Sequence, residues 1–244
     1  MKNAPTISQF GDHGVLIQFE KVIQLETNHV LTQLTQHLLN EFESLIEGCS
    51  IAYQESVIYF HPQISMKSTL SNLKEEIASF GWDGKNIFEK RILEIPVCYQ
   101  APFALDIEEI AKEKKLEVPT IIDLHTAPIY PVYFIGFAPG FPYLGGMNKK
   151  LAYPRKASPR RKVDAGAVGI ANEQTGIYPN TSPGGWNIIG QSPLQFFDIE
   201  KETPSFLEAG DAIQFTSIDK NQFKEIEQQV KNGTYDLQKI IKND

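Results

Sequence analysis

Between Pro131 and Pro193 the chain places 10 of its 17 glycines and 8 of its 15 prolines within 63 residues. This density is the tightest constraint on the fold. Glycine weakens a helix interior and proline breaks it, so this quarter of the chain cannot be a helical bundle. The apolar runs embedded in it are short: "VYFIGF", "AVGIA" and "WNIIG", with "LQFFDI" and "AIQFTSI" following. Short strands joined by structured turns predict a β-barrel or sandwich.

The preceding residues read differently. "ISQFGDHGVLIQFE" has strand-like halves around a Gly-Asp-His-Gly turn. Val30, Leu31, Leu34, Leu38, Leu39 and Phe42 fall at helical spacing, and so do Leu70, Leu73, Ile77 and Phe80. Between them "CSIAYQESVIYFHP" offers two strands around a Gln54-Glu55-Ser56 turn, and "KRILEIPVCY" is a strand leaving the unit. The order β(β)αββαβ predicts an α+β domain, two helices on one face of an antiparallel sheet, as in ferredoxin-like folds. "ALDIEEIAKEKKLEV" predicts a helix with Asp106 as N-cap and Glu109 completing a capping-box variant. "PTIIDLHTA" predicts a second, short helix. The expected division is an α+β domain at 1–92, a mainly β barrel domain at 93–218 and a polar helical tail at 219–244.

No run of about 18 apolar residues predicts a membrane span, and "MKNAPTISQF" lacks the apolar stretch of a signal peptide. Cys49 and Cys98 sit in strand-like apolar runs and read as buried free thiols in a reducing compartment. The expectation is a cytoplasmic protein. Net charge is −7, yet Lys149 to Lys162 carries seven basic residues and no acidic one, so the remainder sums to −14. Such a chain is a poor nucleic-acid binder. Its basic loop suits a small anion or an acidic face on a partner protein, with a plain solvated loop as the alternative.

The common catalytic signatures are absent: no P-loop, H-E-x-x-H, C-x-x-C or G-x-S-x-G occurs, and the five histidines are scattered. No metal site is predicted. Two loop regions remain. In "GFAPGFPYLGG" the amides of Gly140, Gly145 and Gly146 could converge on an oxyanion, with Phe137, Phe141 and Tyr143 as pocket walls. An aromatic turn closing one end of a barrel is the alternative. In "PRKASPRR" Arg155 and Arg160 are stiffened by neighbouring prolines and suit carboxylate or phosphate. In "QTGIYPNTSPGGW", Gln174, Thr175, Tyr178 and Ser182 are neutral hydrogen-bonding groups fit for an amide or lactam, and Gly184-Gly185 permits close backbone approach. Trp186 is either a wall of the same pocket or a core residue.

Taken in order, "GFAPGFPYLGG", "PRKASPRRKVDAGAVGIA" and "QTGIYPNTSPGGWNIIG" closely resemble the family of 5-oxoprolinase B subunits, also known as the kinase A inhibitor family and as allophanate hydrolase subunit 1. The similarity extends to "GDHGVLIQF", "EIPVCY" and Leu124-His125. The resemblance implies an N-terminal α+β domain followed by a cyclophilin-like β-barrel. It implies a three-part complex, in which a C subunit of related barrel fold and a separate A subunit join this chain to open 5-oxo-L-proline to L-glutamate at the expense of ATP. The chain would then be one part of a hydrolase, inactive alone, with ATP and Mg2+ as co-substrate and no tightly bound cofactor. Under this resemblance Arg155 and Arg160 meet anionic groups. Gln174, Thr175, Tyr178 and Ser182 orient lactam or nucleotide beside Gly140, Phe141, Tyr143, Gly184, Gly185 and Trp186. His125 is the candidate for proton transfer, with Arg160 beside it in the catalytic set; a structural histidine at a helix end is the alternative for His125.

Three positions depart from the family pattern. Asp164 stands where proline is usual, Asn172 where glycine is, and Gln191 where a cation is expected. If that cation binds an anion in relatives, Gln191 weakens the task here. Two other readings remain open: an inhibitor docking on a sensor histidine kinase, and a component of an allophanate hydrolase.

Overall fold

The computed structural model describes residues 4–20, 24–81 and 91–242. It divides into two compact units, residues 1–89 and 90–244. Lys90, which opens the predicted strand "KRILEIPVCY", lies outside the described residues.

The first unit begins with a hairpin, β1 (Thr6–Phe10) and β2 (Gly14–Gln18), closed at Gly11 by a positive φ of 61°. Helix α1 (Leu25–Glu41), strands β3 (Ile46–Ile51) and β4 (Glu55–Phe60), and helix α2 (Met66–Ser79) follow. The sheet order is β1-β2-β4-β3, antiparallel throughout. Val15 pairs with Ile58 on adjacent strands. Both residues are buried with Ile17 and Phe60 against Leu31, Leu34 and Leu38 of α1 and Leu73 and Ile77 of α2. The 3.6-residue spacing thus named the buried helix faces correctly. The β3–β4 turn falls at Ala52–Gln54, two residues earlier than expected, because α1 captures it: the Asn28 amide donates to the Ala52 and Tyr53 carbonyls. Ser56 is then drawn into β4 and buried beside the Thr35 hydroxyl, 3.0 Å away. The unit differs from a β-α-β-β-α-β arrangement, since the strand after α2 pairs in the second unit. Cys49 is exposed, contrary to expectation, because β3 is an edge strand; Cys98 is buried.

The second unit opens with β5 (Ile92–Val97), α3 (Ile107–Lys114), α4 (Val118–Thr126), β6 (Ile129–Ile135) and β7 (Pro142–Leu144). Short strands follow: β8 (Arg160–Val163), β9 (Ala167–Ala171), β10 (Gln174–Ile177), β11 (Ser182–Gly184) and β12 (Asn187–Gln191). It ends with β13 (Ala212–Ser217), α5 (Lys220–Lys231) and β14 (Ile241–Lys242). β13 is the centre of a five-stranded sheet ordered β14-β5-β13-β6-β7, parallel to β5 and antiparallel to β6. A three-stranded sheet, β10-β9-β12, and a pair, β11-β8, lie apart from it in the pairing pattern. The expected barrel is therefore not closed among the described residues. Register breaks at Ser182/Gly184 and Ile188/Gly190 split the ladders where glycine and proline crowd. The tail is tied in at both ends. Asp219 and Gln222 form a capping box on α5, Phe223 stacks on Phe103 at 4.1 Å, and β14 joins β5.

No helix among the described residues is long and apolar enough to cross a membrane.

Candidate functional site

Phe141 is the hub of the second unit's aromatic cluster. Its ring meets Tyr143, Phe137, Trp186 and Tyr178 edge to face at 5.2, 5.5, 5.6 and 5.8 Å. Edge-to-face packing at these separations is the favoured arrangement for aromatic quadrupoles. The rings frame a cavity of about 230 Å3. Of the residues predicted from sequence, Phe137, Phe141, Tyr143, Arg155, Tyr178, Gly184, Gly185 and Trp186 line it; Lys156 and Pro159 complete it. The two predicted loop regions thus meet in space. The Lys156 N–H donates to the Gly185 carbonyl at 2.9 Å, which stitches the proline-stiffened loop to the glycine pair.

Charge is sorted within this loop. Lys156 and Arg160 both donate to Oδ1 of Asp106, at 2.8 and 2.6 Å, and the Ile188 N–H donates to its Oδ2 at 2.6 Å. Asp106 is only 2% exposed. Burial pushes its carboxyl pKa up, but Arg160, Lys156 and the Ile188 N–H together hold it below the usual aspartate range. Asp106 does precede α3 as predicted, yet its side chain caps nothing there. Two cations outcompete the helix amides for it. Arg155 differs from both neighbours. Its guanidinium lies over the Trp186 ring, 6.0 Å from the centroid, and no acidic group pairs with it among the described residues. Burial raises the Tyr143 and Tyr178 hydroxyl pKa values against the opposing charge of Arg155, so both phenols are neutral and can donate.

Several predicted residues lie elsewhere. Arg160 is committed to Asp106 and does not line the cavity, although its Nη1 is buried without a hydrogen-bond partner. Thr175 is fully buried, and Gln174 opens β10 outside the cavity. The Ser182 hydroxyl donates to the adjacent Pro183 carbonyl. The Gln191 amide donates to the Ala165 carbonyl at 2.7 Å, pinning the turn that carries Asp164, so its lack of charge removes no cation from the cavity. Gly140 packs on Phe197 and Pro179, and the Gly145 N–H is donated to the Pro131 carbonyl. The expected oxyanion cradle therefore lacks one of its three amides.

His125 requires the largest correction. It is 0% exposed, stacked on Phe215 at 4.5 Å, and burial lowers its pKa to about 3. Tyr99 Oη lies 2.7 Å from Nδ1 and Thr175 Oγ1 2.9 Å from Nε2. The Thr175 hydroxyl donates to the Gly169 carbonyl at 3.1 Å. Each hydroxyl has one proton, which assigns the relay: Tyr99 donates to Nδ1, and Nε2–H donates to Thr175. The relay ends on a backbone carbonyl, which cannot pass a proton onward. His125 fastens α4 to β9 and β10, and among the described residues none of its hydrogen-bond partners lines the cavity.

Sequence reasoning overlooked Asp106 as part of the site, and Lys156 and Pro159 as lining. The basic run pointed to Lys156. Nothing local pointed to Asp106, whose partners are 50 and 54 positions away. Glycine at 184 has a steric cause: a Cβ there would press on the hydroxyl and ring of the buried Tyr178. Gly184→Ala is expected to destabilise the second unit by about 1–3 kcal/mol through overpacking. It should also shift Trp186 fluorescence. An unchanged urea midpoint and spectrum would show that Tyr178 yields freely.

The family model described as carboxyltransferase domain, subdomain C and D, matches residues 5–207, which defines the class of fold. The solved structure of TTHA0988 matches with a TM-score of 0.71 and 34% identity over 84% of this chain and 40% of that one, so the chain spans about two fifths of its length. Kluyveromyces lactis urea carboxylase matches with a TM-score of 0.75 over 95% of this chain and 23% of that one, a likeness of fold alone at 20% identity. The 5-oxoprolinase B subunit of Bacillus subtilis (strain 168) is 38% identical over 226 residues, 89% of this chain and 94% of that protein. The chain belongs to the family of 5-oxoprolinase B subunits.

Proposed function

We propose that this chain is the B subunit of an ATP-dependent 5-oxoprolinase complex that opens 5-oxo-L-proline to L-glutamate, and that it acts only with the A and C subunits. The observation that carries this reading is the aromatic cavity with the guanidinium of Arg155, which no acidic group pairs with among the described residues. A five-membered lactam acid presents a flat ring for such walls and a carboxylate for such a cation.

The need for partners is supported by what the lining lacks. Among the described residues, the cavity wall has no carboxylate, imidazole or thiol. Tyr143 and Tyr178 can donate hydrogen bonds but are too basic when ionised to serve as a neutral-pH base. A lactam carbonyl is a poor electrophile. Transfer of the γ-phosphoryl group of ATP to its oxygen makes the ring carbon electrophilic; water adds there, the ring C–N bond breaks with a proton passing to nitrogen, and a second water hydrolyses the acyl phosphate so formed to L-glutamate and phosphate. With no carboxylate in the lining, Mg2+ would be held by the nucleotide phosphates, water and partner groups. The role of this chain is to bind and orient the lactam acid.

The test is glutamate release from 5-oxoproline and MgATP by this chain alone, then with its candidate A and C partners. Turnover only in the full mixture is expected. No turnover in a mixture shown to be assembled and folded would overturn the reading and favour the kinase-inhibitor alternative.

A further inference from the structure

A second cavity, of about 340 Å3, lies between the loop that precedes β13 and the C-terminal segment, and shares no lining residue with the aromatic cavity. Leu93, Phe206, Leu237 and Ile240 supply its apolar wall. Among the described residues, Arg91 and Glu208 are the charged groups of the lining. One buried carboxylate places both. Asp211, 5% exposed, accepts from Arg91 Nε at 2.9 Å and Nη2 at 2.7 Å, a fork that fixes the guanidinium plane. The same carboxylate accepts the Glu208 N–H at 2.9 Å and so holds that residue's backbone beside Arg91.

The two charges are placed but not satisfied. Arg91 Nη1 has no hydrogen bond among the described residues. The Glu208 carboxylate is 3.8 Å from Arg91 Nη2, beyond the ~2.7–2.9 Å of a charge-assisted hydrogen bond, and its side chain is 65% exposed. An open pair of this kind is weak, so a ligand that offers each group a better partner displaces little. A cation and a carboxylate side by side complement a zwitterion. In an α-amino acid one carbon carries both charges, and the side chain leaves from that same carbon. The volume is that of roughly eleven waters at about 30 Å3 each, enough for an aliphatic or single-ring side chain. It falls at the lower end of small-ligand pockets, ~300–1,000 Å3. A second carboxylate, as in glutamate, would meet the apolar wall or the like charge of Glu208.

We propose that this cavity binds an α-amino acid with an apolar side chain, its carboxylate on Arg91, its ammonium on Glu208 and its side chain against Leu93, Phe206 and Leu237. Occupancy ties the C-terminal segment to β5. The link already there is short, since β14 pairs with β5 at Ile241–Leu93 and Lys242–Ile92. The ligand does not depend on the reaction proposed for the complex.

The test is calorimetric titration of the full chain with L-leucine, L-phenylalanine, L-alanine, L-glutamate, isocaproate, which lacks the ammonium, and isoamylamine, which lacks the carboxylate. Variants Glu208→Gln and Arg91→Lys are compared with Arg155→Met in the other cavity, and thermal melts verify folding. Leucine is expected to bind about tenfold or more tightly than alanine, through burial of its larger apolar side chain. Removing either charge from leucine should weaken binding about tenfold. Glu208→Gln should weaken leucine and leave isocaproate unchanged. Arg91→Lys keeps a charge for Asp211 but loses the fork, and should weaken leucine and isocaproate while leaving isoamylamine unchanged. Arg155→Met should alter none of them, and glutamate should not displace leucine. If Arg91→Lys fails to fold, the exposed Glu208 decides alone. Leucine binding that ignores Glu208 or a folded Arg91→Lys, loss of that binding in Arg155→Met, displacement by glutamate, or no binding of leucine or phenylalanine would overturn the proposal.

Discussion

Replacing Asp106 with alanine is expected to lower the stability of the second unit by about 3–5 kcal/mol, the usual cost of removing one partner from a buried charge cluster. Three donors lose their acceptor at once: Lys156, Arg160 and the Ile188 N–H. The Lys156 and Arg160 side chains are only 20% and 26% exposed, so water repays part of the loss and not all of it. Asp106→Asn keeps an acceptor for the Ile188 amide but no charge for the cations, and should fall between wild type and alanine. Because the folded carboxyl pKa is depressed, the contribution is present above the unfolded aspartate value of about 3.9 and is lost as pH falls through the lower folded value. The full difference should therefore be seen at neutral pH. The measurement is urea unfolding followed by Trp186 fluorescence in a Trp82→Phe background, since the chain has two tryptophans. A loss below about 1 kcal/mol would mean that the cluster is solvated like a surface ion pair.

What the sequence could and could not disclose follows from distance along the chain. Helices α1 and α2 declared their buried faces because Leu31, Leu34 and Leu38, or Leu73 and Ile77, are local patterns. The loops of the cavity were legible as loops, since glycine and proline densities are local too. Their meeting was not, because Phe141, Arg155 and Trp186 converge through tertiary packing. Asp106 shows the limit most clearly. Its place before α3 matches a cap, and every local rule assigns its carboxylate to the helix amides. Two cations some fifty residues away bind it more strongly, and only the fold brings them there. Cys49 failed for a related reason. An apolar strand pattern does not say whether the strand lies at a sheet edge. The unclosed sheets failed on register, which depends on bulges that no apolar pattern encodes.

His125 carries the second large prediction. Its folded pKa of about 3 lies below the unfolded value of about 6.5, so between these values the unfolded chain binds one proton more than the folded one. Stability should be complete above pH 6.5 and fall by about 1.4 kcal/mol per pH unit below it from this residue alone. By pH 4.5 the loss is about 2–3 kcal/mol, before the Asp106 cluster begins to titrate. His125→Gln retains a donor for Thr175 and an acceptor for Tyr99 and cannot titrate in this range. The variant should be less stable than wild type at pH 7 by about 1–2 kcal/mol, from imperfect hydrogen bonds. It should then lose less stability on acidification, so that the two curves converge near pH 5. Urea midpoints at half-unit pH steps, with Trp186 as reporter, measure both slopes. Parallel curves would mean that the folded imidazole titrates near its ordinary value, which would require water to reach the Tyr99–His125–Thr175 relay. Converging curves would leave a neutral imidazole locked between a phenol and a threonine. No protonation change is then open to it near neutral pH, which removes it as a candidate for proton transfer.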